Sequence, residues 1–493
     1  MTPPLPARPR QTPAAPQRLT ALARAAALAL ALPLAAHAQS VPQRLDDPGA
    51  ALRAAEKSGK RSDMISLYRE ALNNDSQFAA ARFQYQATLE REPQARSTLL
   101  PNVGLGANFT QFQPDVKAET AVTNGAGTVI GSTTVNGDNA YNSYGGGLTL
   151  SLPLYRPQNW QALEQAKLAV VQGESVLSLA RQDLLLRLAT AYFNVLAARD
   201  QVTALEVSRE ATLQQLAQAK REFEVGTKTI IDTNEAQARF DQIVAQLQVA
   251  VGTLLVRRNE LTAIVGREPE VLAALDDNPK LTLPQPNDFA AWVKQAEDAN
   301  YGVLIARASN EIATREIQRA RDGYKPTVDL VAGYNVNRSS GSAFNDFTTR
   351  SNTASVGVQL NVPLYTGGLT QSRVREALAL QSKAESDLET ARRNAANAAR
   401  SSLTGVNYGL TQVQALESAE RSARTQLEST RLGYQVGVRI QLDVLNATTQ
   451  LVSTQRDLKR ARYDFLLSGL GLKAAAGALT EDDVKAVNAL LTQ

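Results

Sequence analysis

Two hydrophobic periods alternate along the chain. Val103, Leu105, Ala107 and Phe109 alternate with Asn102, Gly104, Gly106 and Asn108, and Leu148, Leu150, Leu152 and Leu154 alternate with Thr149 and Ser151. In the second half Val328, Leu330, Ala332, Tyr334 and Val336 alternate with Thr327, Asp329, Gly333 and Asn335. Ala354, Val356, Val358, Leu360, Val362 and Leu364 alternate with Ser355, Gly357, Gln359 and Asn361. The pattern predicts four strands, at about 100–112, 143–155, 326–337 and 353–365, apolar on one face and small or polar on the other. A tilted strand crossing a bilayer needs about 9–11 residues and has this apolar-out, polar-in alternation. A strand of a soluble sandwich alternates in the same way.

Between the strands the period changes to that of a helix. No proline occurs from Gln158 to Glu268, nor after Pro363. Leu184, Leu185, Leu188, Ala191, Tyr192, Val195 and Leu196 recur at helical spacing, with Arg187 and Asn194 on the other face. From Pro157 to the Val225-Gly226 break a single helix would run roughly 100 Å at 1.5 Å per residue. Further helices are predicted from about Ile231 to Gly266 and from about Gln441 to Gly477. Such lengths read as coiled coil or helical barrel and not as an ordinary globular domain. Segments 48–95 and 287–323 supply a helix before each strand pair.

The elements repeat. Phe223-Glu-Val-Gly226-Thr-Lys-Thr-Ile-Ile-Asp232 aligns with Tyr434-Gln-Val-Gly437-Val-Arg-Ile-Gln-Leu-Asp443, and Leu152-Pro-Leu-Tyr155 aligns with Val362-Pro-Leu-Tyr365. Each half reads helix, strand, loop, strand, long helix, turn, helix. The predicted organisation is a first repeat over 39–269, a connecting segment over 270–286, a second repeat over 287–478 and a C-terminal helix over 479–493. The first loop between strands, 112–142, is rich in Gly, Thr and Asn and longer than the second, 338–352.

Composition adds exclusions. Residues 1–38 carry Arg8, Arg10, Arg18 and Arg24, no acid, the apolar run Ala25 to Ala36, and Ala36-His37-Ala38. This is the pattern of a secretory signal cleaved near Ala38. Without it 48 basic residues balance 48 acidic ones, so the chain's net charge of +4 belongs wholly to the signal and implies no nucleic-acid partner. The one histidine leaves with the signal and there is no cysteine. Imidazole or thiolate catalysis, zinc sites and disulfides are excluded; no cofactor is expected, and a lipid anchor on Gln39 is not expected either. Two readings without a membrane-spanning sheet stay open at this point, a periplasmic adaptor and an exported carboxylate-dependent hydrolase. The duplication and the four bilayer-length strands disfavour the first, and no acid pair stands out for the second.

Four amphipathic strands cannot close a membrane barrel, for which about eight is the smallest workable number, and open edges in lipid leave backbone groups unsatisfied. Other copies must complete the sheet, and three copies would give 12 strands. At this point the sequence resembles the TolC-type outer-membrane channel family. The resemblance rests on the duplicated Phe/Tyr-x-Val-Gly…Asp turns, on Val362-Pro-Leu-Tyr-Thr-Gly-Gly368, and on Ala461-Arg-Tyr-Asp-Phe-Leu-Leu with Leu472-Lys-Ala-Ala-Ala-Gly-Ala-Leu-Thr-Glu-Asp-Asp483. It implies an α+β membrane protein: a homotrimeric 12-stranded β-barrel in outer-membrane lipid, four strands per chain, continuous with a long periplasmic coiled-coil barrel. It also implies a passive exit duct serving an inner-membrane pump of ABC or RND type through a periplasmic adaptor.

The resemblance assigns roles to the turns. Val225, Gly226 and Thr227, with Val436, Gly437 and Val438, would be the tips on which the adaptor docks; by themselves these glycines read as helix-ending residues. Tyr434 and Arg439 match positions that hold the periplasmic entrance closed. Asp443 matches the first of two entrance acids; Asn446 stands where the second would be, which thins the ring. Asp232 is its counterpart in the first half. Either acid also suits the positive end of a helix dipole, whereas three-fold symmetry would turn each into a carboxylate ring selecting cations. Arg439 with Asp443, and Lys228 with Asp232, are i,i+4 pairs in the weaker cation-first order.

Overall fold

The computed structural model describes residues 61–227, 229–286 and 288–492, all within one compact unit spanning Ala54–Gln493. The signal segment, the start of segment 48–95, and Lys228 of the Lys228–Asp232 pair lie outside the described residues. A two-residue strand β1 (Arg61–Ser62) leads into α1 (Met64–Asn74), α2 (Ser76–Leu89) and α3 (Arg91–Ser97). Segment 48–95 is therefore not one helix. Asp75 ends α1 in extended geometry and caps α2, accepting from the Phe78 N–H at 2.6 Å, because a short carboxylate competes for the backbone and favours a cap over a helix interior. Burial alone would raise the Asp75 pKa, but two hydrogen bonds from the Arg187 guanidinium, with the Phe78 N–H, hold it below its usual value. The stability it contributes stands above the ordinary carboxylate range and is lost as pH falls through the lowered folded value.

The first strand pair is β2 (Asn102–Phe112) and β5 (Tyr141–Tyr155). Between them, where sequence reading expects only a loop over 112–142, stand β3 (Val116–Thr123) and β4 (Val129–Gly137), an antiparallel hairpin turning at Asn124–Thr128. In β3, Val116, Ala118, Thr120 and Val122 alternate with Lys117, Glu119, Ala121 and Thr123. Threonine and glycine make that alternation too weakly apolar to register as a strand pattern.

From Pro157 the chain is one helix, α4 (Pro157–Glu224), of 68 residues; proline at its first position lacks only an N–H that has no helical partner there. It returns as α5 (Ile230–Val265), started by the reciprocal Thr229–Asp232 capping box and ended at Gly266, φ 85°. The connecting segment is not a plain linker. Its β6 (Val271–Leu272) pairs in parallel with β1, and Leu275 bridges Leu491 near the C-terminus.

The second half opens with α6 (Phe289–Ala299) and α7 (Tyr301–Arg321), separated by the Asn300 cap, followed by β7 (Thr327–Ser339) and β8 (Thr349–Asn361). The last strand thus begins before position 353 and stops short of 365. Its partner β7 ends the ladder at Thr327↔Asn361, and Pro363 has no N–H with which to extend it. Helices α8 (Leu369–Gln435) and α9 (Gln441–Ala475), of 67 and 35 residues, form a second hairpin matching the first in length. The C-terminal helix α10 is shorter than 479–493, running Glu481–Asn488.

The four long strands make one antiparallel sheet in the order β2-β5-β7-β8. Its apolar side chains lie open: Leu105 is 81% and Val356 80% exposed. Where sheet meets helix, Arg156 donates twice to the Asp329 carboxylate, at 2.7 Å each. The buried core lies between helices. Tyr192 and Phe193 of α4 are essentially inaccessible, Phe193 stacks on Tyr463 of α9, and Asp200 accepts from the Tyr463 hydroxyl at 2.7 Å and from Lys459 at 2.9 Å. These contacts fasten one hairpin to the other. A second cluster joins Ala296 and Val303 to Leu388, Ala399 and Ala475.

The end of α9 is locked against the α6–α7 junction. Asn300 donates to the Ala475 carbonyl at 2.9 Å, and Gly477, at φ 68°, lies so close that an added Cβ would stand 2.1 Å from the Ala299 carbonyl oxygen. Alanine at 477 would meet both the clash and a left-handed backbone. We expect Gly477→Ala to cost at least about 2 kcal/mol, seen as a lower thermal unfolding midpoint; an unchanged midpoint would mean that the junction yields without loss.

Candidate functional site

The two hairpins end in identical turns. Glu222 closes the first: its carbonyl accepts from the Thr227 N–H at 2.9 Å, while Gly226 donates to Phe223 at 2.9 Å. In the second, Val438 donates to Gly433 at 2.9 Å and Gly437 to Tyr434 at 3.0 Å. This pair of bonds satisfies the last helical carbonyls and requires a left-handed residue, supplied by Gly226 at φ 79° and Gly437 at φ 81°. A Cβ on either would meet nothing within 4 Å. The flanking side chains are bare as well: Val225 is 73% and Val438 76% exposed, and Ile231, Leu432, Val436 and Ile440 join them in an apolar tip.

Asp232 and Asp443 occupy the third position of α5 and α9. The Asp232 carboxylate accepts from the Thr229 N–H at 3.0 Å and the Thr229 hydroxyl at 2.8 Å. At the second tip isoleucine replaces the threonine, so the Asp443 carboxylate accepts only a longer bond from the Ile440 N–H, 3.4 Å. Arg439 reaches Asp443 at 3.7 Å. That pair is largely solvent-facing and stabilises by under about 1 kcal/mol. Both acids thus serve as helix caps within a single chain. Asn446 is exposed one turn further along α9.

Beside the tips, the two hairpins enclose a cleft of about 330 Å³. It brings together Asp232, Tyr434 and Arg439 of the residues singled out in the sequence, and leaves out Asp443 and Asn446. Gln215, Gln218, Glu222, Glu235, Arg239 and Gln441 complete its polar lining. Gln218 donates to the Tyr434 hydroxyl at 3.0 Å and to Glu222 at 2.8 Å, so one amide ties the first hairpin to the second. Gly433 also passed unnoticed in the sequence. A Cβ there would lie 2.8 Å from Arg439 Cγ, so its absence lets the arginine fold back over the turn. Gln218 and Glu222 sit two turns and one turn before Gly226, a spacing that could have marked them. No cluster suited to a metal ion occurs among the described residues, and none of their helices is long and apolar enough to cross a membrane.

The structure is thus a sheet with one open apolar face set on two long helical hairpins. The chain belongs to the outer membrane efflux protein family, whose profile matches residues 67–267 and 292–478. It is 33% identical to the outer membrane protein TolC of Vibrio cholerae, over 89% of this chain and 96% of that one. It is 31% identical to the alkaline protease secretion protein AprF of Pseudomonas aeruginosa, over 86% of each. In fold it is similar to the CmeC outer membrane channel of Campylobacter jejuni, with a TM-score of 0.70 at 16% identity over 87% of this chain and 89% of that one. It is similar also to the open state of the MtrE outer membrane channel of Neisseria gonorrhoeae, with a TM-score of 0.65 at 17% identity over 85% and 90%. The chain is thus an outer-membrane channel of the efflux and secretion type and not an enzyme.

The tip glycines make a clean test, since space is open and only φ is constrained. Gly226→Ala should loosen the turn by about 1–2 kcal/mol, and Gly226→Asn by much less, because asparagine tolerates the left-handed region. Hydrogen exchange at the Thr227 amide reads the difference; equal loosening by both would mean that bulk, not backbone conformation, is what the turn resists.

Proposed function

We propose that three copies of this chain close their sheets into a 12-stranded barrel in the outer membrane, with their hairpins joined into a periplasmic tunnel. The observation that carries the reading is the sheet's two open edges: among the described residues β2 bonds only to β5, and β8 only to β7. In hydrocarbon each unpaired backbone group costs several kcal/mol, and the β8 edge of one copy meeting the β2 edge of the next removes that cost. The ten residue steps of β7 from Val328 to Arg338 rise about 34 Å along the strand, or roughly 25 Å upright at the usual barrel tilt. That height matches an outer-membrane apolar band. Export would follow cleavage of the signal near Ala38, and the two matching halves would arise from one duplicated unit.

In this arrangement the bare apolar tips at Val225–Thr227 and Val436–Val438 are where a periplasmic adaptor docks, linking the duct to an inner-membrane pump that supplies the energy. Three-fold symmetry multiplies Asp443 and Asp232 into rings favouring cations, with Asn446 leaving the inner ring thin. The Gln218–Tyr434 bond and the Arg439 contacts hold the second hairpin inward and the entrance narrow.

Heat-resistant trimers in the outer-membrane fraction are expected, and recovery of monomer alone after crosslinking in detergent would overturn the assembly. Tryptophan at Gly226 and Gly437 should abolish export and leave trimers intact; normal export by the double variant would sink the docking role. Arg439→Ser should raise single-channel conductance in planar bilayers, and an unchanged conductance would remove Arg439 from the gate.

A further inference from the structure

The register of the sheet sets one row of side chains apart. Phe109 on β2 lies opposite Tyr144 on β5, Tyr144 opposite Arg338 on β7, and Arg338 opposite Arg350 on β8. All four point to the same side as Val103, Leu105, Leu148, Leu330, Val356 and Val358, because residues two apart share a face. Below this row the face carries Ala107, Gly146, Val336 and Asn352, then purely uncharged rows down to Val328 and Leu360. Arg338 and Arg350 are therefore the only charged residues that these four strands present on their apolar side. They stand at its far end from the helices, beside the Phe109–Tyr144 pair, whose rings are 5.1 Å apart.

Two like charges directly opposite each other on neighbouring strands repel, with Cβ atoms about 5 Å apart. Neither arginine has an ion pair or side-chain hydrogen bond among the described residues, and both are exposed. The other charged pair of the long strands, Arg156 with Asp329, lies at the helix end and on the opposite face. Among the described residues no acid is ion-paired to the Arg338–Arg350 couple.

We infer that Arg338 and Arg350 form a binding site for the phosphate groups of a phosphorylated glycolipid in the outer leaflet. The inference rests on the barrel reading, which puts the apolar face against lipid and this row at the outer headgroup level. Aromatic rings mark the boundary between hydrocarbon and headgroups. Two guanidinium forks side by side at that height offer paired donors to a phosphate. The acyl chains of the same lipid would lie down the uncharged rows beneath. The anion supplies the countercharge that the fold leaves out, and three copies around a barrel would give three such sites.

The test uses the purified full-length chain in a neutral detergent with EDTA, titrated with bisphosphorylated lipid A, its dephosphorylated form, and inorganic phosphate, and read by native mass spectrometry and thermal shift. The expected result is preferential binding of the bisphosphorylated lipid, at least about tenfold weaker in R338N/R350N and partly retained in R338K/R350K. Inorganic phosphate alone should give no shift. Equal binding of both lipids by the parent chain, or an undiminished preference in R338N/R350N, overturns the inference. If the double variant does not fold, the same reading is taken on R350N. Trimer recovery from the outer-membrane fraction is scored separately: its loss in the parent chain defeats the channel assembly, whereas intact trimers without lipid preference defeat only the site.

Discussion

A strand at the margin of a sheet keeps half of its N–H and C=O groups without partners, and an outer-membrane channel cannot hand those groups to water. This requirement governs the chain more than any individual contact. It sets strands of bilayer length, it confines the apolar residues to one side of them, and it leaves β2 and β8 as open margins, which the proposed assembly pairs. The open apolar face, which would be a hazard on a soluble monomer, follows from the same requirement.

In the proposed channel the helices answer a different problem, that of extending the conduit far beyond the membrane without a globular core. Each hairpin is too thin to bury much surface alone, so stability comes from lateral seams. Tyr192, Phe193 and Tyr463 pack one hairpin on the other, with Asp200 satisfying the buried phenol and Lys459. The short elements β1, β6 and α10 gather around this level: the Tyr192 hydroxyl donates to the Ala273 carbonyl, and Leu275 bridges Leu491 to tie the connecting segment to the C-terminal end. Arg156 and Asp329 make the join to the sheet rigid where strand becomes helix. The tips, far from these seams, are held by little more than turn hydrogen bonds and the Gln218–Tyr434 link.

Much of this was legible in the residue pattern, because strand alternation and proline-free helical stretches are strong periodic signals. The four strands, the long helices and the glycine turns could be read directly. What escaped lacked such a signal. The β3–β4 hairpin sets threonine, alanine and glycine among its valines and places Val129 beside Ile130, so its alternation carries little hydrophobic contrast. The breaks at Asp75 and Asn300 are caps inside segments that are otherwise helical in period. At the tips the sequence pointed to Tyr434, Arg439 and the two acids, but Gln218, Glu222, Arg239 and Gly433 acquire meaning only when the hairpins lie side by side. The capping role of Asp232 was open to sequence, whereas the unequal caps at Asp232 and Asp443 depend on Thr229 facing Ile440, a difference too small to weigh without coordinates.

The bareness of the turn side chains has an evolutionary consequence. Val225, Val436 and Val438 contribute almost nothing to the packing of their own chain, and the conformation of each turn is guaranteed by a glycine and two backbone bonds. On the proposed docking role, selection can therefore rewrite this surface residue by residue, with the stability of the hairpins left untouched. A lineage could change the machines it serves while inheriting an unaltered pipe.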